Sequence, residues 1–159
     1  LHRRTGGLND PPDHLPLRTR VFVPPPSVRA YLKLEREASV LEVLRVRLLD
    51  GKPSAYEVGY FPRKLLRKMP TQREVRSAYY YDMLRRCAGI EPARTRVLLE
   101  AILLDREEAR VLKAPIGSPA IRLERLTSSQ AGDPVLLTRN IMAGDHCRYV
   151  FDLEVPASL

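Results

Sequence analysis

Two stretches of this chain, set 80 residues apart, follow one plan, and that repeat limits what the chain can fold into. The better-formed copy runs from Leu112 to Asp145: a helix end, a turn, a strand, a tight loop and a second strand. Ile121, Leu123 and the Leu136-Leu137 pair supply β-forming apolar surface, and Gly132-Asp133-Pro134 interrupts it. In the earlier copy Leu32-Lys33 stands at the offset of Leu112-Lys113, Leu41 at that of Ile121, Val43 at that of Leu123 and Arg45 at that of Arg125. One extra residue then shifts the frame, and Gly51-Lys52-Pro53 comes to match Gly132-Asp133-Pro134. Two repeats are too few for a solenoid. They suffice for two helix-hairpin units sharing one antiparallel sheet, joined by a central helical segment.

The rest of the chain fits around these units. Residues 1–19, polar and proline-rich, read as a linker or arm, and residues 20–159 as the domain. Arg20–Val23 reads as a short strand, and Ser27 as the cap of a short helix through Leu32. Val40–Leu48 and Ser54–Phe61 read as the first hairpin. A helical turn over Arg63–Met69 precedes one longer helix, capped by Thr71 with Glu74 and closed by Gly89. Arg94–Leu103 reads as a strand, and Asp105 caps a helix through Leu112. Alternation of Tyr149, Phe151, Leu153 and Val155 predicts a final strand over Arg148–Val155. The sum is an α+β fold of about seven mostly antiparallel strands, because the strands arrive as hairpins rather than crossovers.

Composition excludes several classes. The chain has 159 residues, enough for one domain, and its apolar runs fall far short of a membrane span. Two cysteines, Cys87 and Cys147, do not make a disulfide framework, and reduced thiols point to a cytoplasmic protein. His146-Cys147 as strand neighbours would face opposite sides, so no metal is expected. The first residues carry no secretory signal, and the start without Met suggests an excised fragment. Net charge is +8, which attracts anions, but the 27 Lys and Arg are scattered and form no nucleic-acid-binding motif.

No catalytic constellation stands out: the chain has no phosphate-binding glycine loop, nucleophile elbow or paired-histidine zinc motif. His2, His14 and His146 read as surface residues of an arm, a linker and a loop edge. The feature to weigh is Arg45-Val46-Arg47. Residues two apart on a strand share a face, and two guanidinium groups side by side suit a phosphate or carboxylate. The alternative is that both lie on a solvent-facing sheet surface. Glu57 on the partner strand would balance them or accept from ligand hydroxyls; its plain alternative is a surface ion pair. The loop length decides the matter. A loop of Asp50-Gly51-Lys52 sets Arg45 opposite Glu57, whereas Gly51-Lys52 alone sets Arg45 opposite Val58.

From about Arg20 to Val155 the chain resembles the UTRA effector-binding domain of bacterial GntR-family transcription regulators of the HutC subfamily. The resemblance rests on the order and spacing of Ala109-Arg110-Val111-Leu112, Pro115-Ile116-Gly117-Ser118-Pro119, Ile121 to Leu126, Gly132-Asp133-Pro134-Val135, Thr138-Arg139 and Gly144-Asp145. Val43 to Arg47, Asp50 to Pro53 and Tyr60-Phe61-Pro62 support it in the first half. It implies a chorismate-lyase-like fold, a central antiparallel sheet with flanking helices. It implies a small-molecule effector rather than a substrate, no cofactor, a homodimer, and operator DNA bound only through a separate winged helix-turn-helix domain. By the pattern of sugar-phosphate-sensing members, the effector-binding positions are Arg45, Arg47, Glu57, Ser77 and Tyr79, with amides near Gly7 and Leu8. Leu136 and Met142 stand where that pattern has a glutamate and a tyrosine, which implies an anionic ligand with a less hydroxylated body. The alternative is a chorismate-lyase-like enzyme acting on a small acidic metabolite.

Overall fold

The computed structural model describes residues 13–150. Six strands form one antiparallel sheet: β1 (Asp13–Phe22), β2 (Val40–Leu49), β3 (Lys52–Pro62), β4 (Arg94–Leu103), β5 (Pro119–Ser128) and β6 (Pro134–Ala143). Four α-helices accompany them: α1 (Pro26–Leu32), α2 (Gln72–Ser77), α3 (Tyr80–Ala88) and α4 (Arg106–Leu112). In the strand order β1-β2-β3-β6-β5-β4 each half runs inward from its edge in chain order, β1-β2-β3 from one edge and β4-β5-β6 from the other. Each half is strand, helix, hairpin, and the halves meet where β3 pairs with β6. The internal repeat extends to backbone conformation, since α1 and α4 both close on a left-handed lysine, Lys33 at φ 50° and Lys113 at φ 54°. The expected α+β class, with two hairpin units in one sheet, holds.

Side-chain alternation gives the sheet two different faces. On one face, Leu41, Val43, Phe61 and Leu136 pack against Val75, Met83, Leu84 and Cys87 of α2 and α3. On the other, α1 covers Val40, Leu44, Val58 and Leu137, while α4 sits over Ala120 and Ile141. Burying each large aliphatic side chain contributes about 1.5–3 kcal/mol, so three such clusters hold the layers together.

Several elements differ from the sequence reading, each for a physical reason. Strand β1 opens at Asp13, so Asp13–Thr19 belong to the sheet; Pro16 is tolerated because β1 is an edge strand and a register shift falls between Pro16 and Arg18. Helix α1 begins two residues earlier than a Ser27 cap allows, with Pro26 as its first residue. The central helix is two helices, with Ala78 and Tyr79 extended between them at ψ 146° and 152°. Its capping box at Thr71 and Glu74 and its left-handed Gly89 are as expected. Arg63–Leu65 and Gly144–His146 are short 3-10 turns. Arg148–Val150 are not strand, and the remainder of the expected seventh strand lies outside the described residues.

The first hairpin reaches the Arg45–Glu57 register by neither of the two expected loops. Leu49 pairs with Lys52 across a two-residue Asp50-Gly51 turn, and a register shift beside Ser54 then sets Arg45 opposite Glu57. Both turn residues have positive φ, 51° and 73°, as a primed hairpin turn requires.

Candidate functional site

The face beneath α2 and α3 carries a buried polar cluster built on the β2–β3 register. Arg45 is 1% exposed. Its Nη1 donates to the Val75 and Ala78 carbonyls at 3.0 and 2.8 Å. In an unbroken helix those carbonyls would accept from amides four residues on; here the guanidinium takes that place, which accounts for the break between α2 and α3. The guanidinium also lies 4.1 Å from the ring centre of Tyr80. Tyr80 in turn donates its hydroxyl to the Val43 carbonyl at 3.1 Å. Gly59 makes room for this ring, since a Cβ there would stand 2.8 Å from Tyr80 Cε1.

Glu57 is the centre of the cluster. Its Oε2 lies 3.4 Å from Arg45 Nε and 3.1 Å from His14 Nε2, and its Oε1 accepts from Asn140 Nδ2 at 2.9 Å. Burial works against its charge, but the His14 hydrogen bond, Arg45 and the nearby Arg47 outweigh it and hold the carboxyl below the usual carboxylate range. His14 Nδ1 faces the Arg76 carbonyl at 3.2 Å. Both ring nitrogens therefore face acceptors, and the ring donates at both only when it carries two protons. Two polar atoms beside Glu57 are buried with no hydrogen-bond partner among the described residues: Arg45 Nε, which is close to Glu57 but poorly aligned, and Asn140 Oδ1.

The other expected residues are placed as follows. Arg47 shares the face of Arg45, is half-buried, and makes no ion pair or hydrogen bond among the described residues. Met142 is half-buried on the same face of β6, two residues beyond Asn140. Ser77 and Tyr79 are exposed at the α2–α3 junction that Arg45 holds, and the Ser77 hydroxyl donates to the Arg73 carbonyl. Leu136 is sealed in the core under α2 and α3, four residues up the strand from Asn140. Gly7 and Leu8 lie outside the described residues. Sequence reasoning missed His14, Asn140 and Tyr80. Face alternation from Glu57 across to β6 would have found Asn140; His14 was hidden by reading its strand as a linker.

Two concavities lie elsewhere. One, of about 180 Å³, is on the opposite sheet face, lined by Arg18, Glu42, Tyr56, Tyr60, Arg122 and Arg139 among others. Most of its charges are matched, since Arg18 and Arg20 donate to Glu42, Arg139 to Glu124, and Arg122 to Glu100, while Arg122 Nε is buried with no hydrogen-bond partner among the described residues. The other, of about 480 Å³, lies near Lys33, Lys64 and Asp133 at the end of the sheet. Among the described residues no group of His, Cys, Asp and Glu is arranged for a metal ion, and no helix is long and apolar enough to cross a membrane.

Solved structures share this architecture. A transcriptional regulator from Streptomyces coelicolor is 26% identical, with a TM-score of 0.80 over 91% of this chain and 94% of that one. The ligand-binding domain of a GntR-family regulator from Bordetella bronchiseptica is 19% identical, with a TM-score of 0.81 over 92% of each chain. PhnF from Mycobacterium smegmatis is 23% identical with a TM-score of 0.77 over 90% of this chain and 63% of that one; its effector domain alone, at 22% and 0.79, is covered to 88% by 91% of this chain. The UTRA domain family matches residues 14–148, the span from the buried His14 of β1 to just past β6. The chain belongs to the UTRA family, the effector-binding domains of GntR-type transcriptional regulators.

Proposed function

We propose that this effector domain senses a small acidic molecule, a phosphate or carboxylate, on the sheet face beneath α2 and α3. The observation that carries the reading is the set of polar groups around Glu57 that make no hydrogen bond among the described residues: the Arg47 guanidinium, Arg45 Nε and Asn140 Oδ1. Buried polar atoms are satisfied in nearly all folded proteins, so a donor and an acceptor left over side by side mark a place for a polar guest. Arg47 would take the acidic group as a two-pronged donor. Met142 and the exposed Tyr79 would lie along a body poorer in hydroxyls than a sugar. Arg45 ties the α2–α3 junction to the same cluster, so a ligand that draws on Arg45 shifts the junction as well. In the regulator, a HutC-type homodimer, that shift would alter the spacing of separate winged helix-turn-helix domains on operator DNA.

Thermal unfolding against sugar phosphates, organic acids, amino-acid derivatives and fatty acids tests the reading. A ligand at about 100 times its dissociation constant adds about 2.7 kcal/mol. For a domain of this size that is roughly 5–10 °C. The expected hits are acidic, and Arg47→Ala abolishes their shift while leaving the unliganded midpoint unchanged. Hits confined to neutral compounds, or shifts indifferent to Arg47→Ala, would overturn it.

A further inference from the structure

The internal repeat carries an axis with it. Gly51 matches Gly132, 81 residues on, and the register irregularity at Ser54 recurs at Val135 with the same offset. Val58 and Arg139 share that offset and also stand directly opposite each other where β3 pairs with β6. The axis relating the two halves therefore passes between Val58 and Arg139. It runs through the sheet, so the matching helices α1 and α4 lie on one face, on either side of it. The middle of that face is left between them, and the cavity of about 180 Å³ lies there.

The repeat keeps the backbone and changes the chemistry. Glu42 on β2 is matched by Arg122 on β5, 80 residues on, and the two stand on opposite walls of the cavity. The floor between them is apolar and buried: Leu44, Val58 and Ile141. Tyr56 and Tyr60 also line it, and their hydroxyls make no hydrogen bond among the described residues. Burial pushes both phenols up, so both keep a proton to donate. Glu108 of α4 accepts from the Asp105 amide through Oε2 and has no ion-pair partner among the described residues. Arg122 donates to Glu100 through Nη2 alone, while its Nε is buried without a partner among the described residues. Buried polar atoms are nearly always satisfied, so these open groups mark a seat for a polar guest.

The charges of the cavity select the guest. Its arginines are answered by glutamates, so an ionic guest would have to break a pair and strand the other member. An uncharged guest needs only the groups still open. We infer that this cavity is a second ligand site, taking an uncharged single-ring molecule with hydroxyls round its rim, such as a cyclic polyol. The ring lies on Leu44, Val58 and Ile141; its hydroxyls donate to Glu108 and accept from Tyr56, Tyr60 and Arg122. A volume of about 180 Å³ is of the order that holds one six-membered ring. Such a guest touches β2 and β3 of one half and α4, β5 and β6 of the other, across the axis where the halves meet. It shares no residue with the Arg45–Glu57 cluster on the opposite face and does not depend on the acidic ligand proposed there.

NMR titration of the whole chain, with isotope-labelled tyrosine rings, tests it with myo-inositol and glucose as probes and glucose 6-phosphate as the charged counterpart. The uncharged probes are expected to move the ring signals of Tyr56 and Tyr60 saturably and to leave that of Tyr80, on the other face, in place. Tyr56→Phe removes one hydroxyl, and Glu108→Gln keeps a side chain suited to the capping box while weakening the acceptor. Each is expected to weaken binding roughly threefold to tenfold, as the loss of one hydrogen bond does. Arg47→Ala is expected to leave the response of Tyr56 and Tyr60 unchanged, which separates this cavity from the acidic site. No movement of Tyr56 or Tyr60 with either uncharged probe would overturn the site, as would a response that both Tyr56→Phe and Glu108→Gln leave intact or that Arg47→Ala abolishes. Glucose 6-phosphate moving these two rings at lower concentration than glucose would overturn the uncharged class.

Discussion

Arg45→Met removes the guanidinium that ties β2, β3 and the α2–α3 junction together, and its cost can be worked from the contacts. Methionine keeps most of the stem's volume, so the loss is chiefly polar. Two hydrogen bonds from a charged donor, to the Val75 and Ala78 carbonyls, are worth about 1.5–3 kcal/mol each. Stripping a buried ion pair of one partner costs about 3–5 kcal/mol, because Glu57 stays buried. These losses overlap and do not add, since His14 and Asn140 still hold Glu57. A loss of about 4 kcal/mol follows, roughly 8–16 °C in midpoint. Urea unfolding at neutral pH, with an unchanged slope, measures it. Glu57→Gln in the same background should show a coupling of roughly 1–3 kcal/mol. A loss under about 1 kcal/mol, or no coupling, would refute the claim that Arg45 is the tie between sheet and helices.

Acid should act through the same cluster. The Glu57 carboxyl is held below its usual range, so its contribution to stability is fully present above about pH 4.3 and is lost as pH falls through the lower folded value. The pH at which the domain unfolds is therefore expected to rise in His14→Gln, which removes one of the groups holding that charge; an unchanged acid midpoint would count against the His14–Glu57 contact. Gly59→Ala is expected to cost about 1–3 kcal/mol through collision with the Tyr80 ring, and Tyr80→Leu should relieve part of that cost in the double variant. Equal costs of Gly59→Ala in both backgrounds would contradict the packing. Asp105→Ala, which breaks the capping box of α4, is expected to cost about 1 kcal/mol by thermal unfolding.

The sheet was legible because its evidence is local. Strand β4 runs from Arg94 to Leu103 as the apolar run Val97-Leu98-Leu99 and its flanking turns imply, and Asp105 with Glu108 marks the start of α4. The repeat of Leu32-Lys33 at Leu112-Lys113 carried the pairing of the two halves. What was not legible depends on contacts made across the fold. No glycine or proline announces the break at Ala78 and Tyr79; it exists because Arg45, 33 residues earlier, takes the Ala78 carbonyl. The first seven residues of β1 look like linker by composition, and only pairing with β2 makes them strand. That error hid His14. The Arg45–Glu57 pairing was foreseen as one of two registers, but by a three-residue loop; a two-residue turn and a shift at Ser54 give the same result. Helices α2 and α3 then determine which face of that pair is buried, and no spacing rule along β2 contains that information.

The most direct test of the account is a crystal structure of the domain with the acidic compound that raises its unfolding temperature most. The account predicts its phosphate or carboxylate within hydrogen-bonding distance of the Arg47 guanidinium, with Arg45 Nε or Asn140 Oδ1 newly satisfied and the α2–α3 junction displaced. The ligand seated instead among Arg18, Tyr56, Tyr60 and Arg139 in the cavity on the opposite sheet face, with the Arg45–Glu57 cluster unchanged, would contradict it.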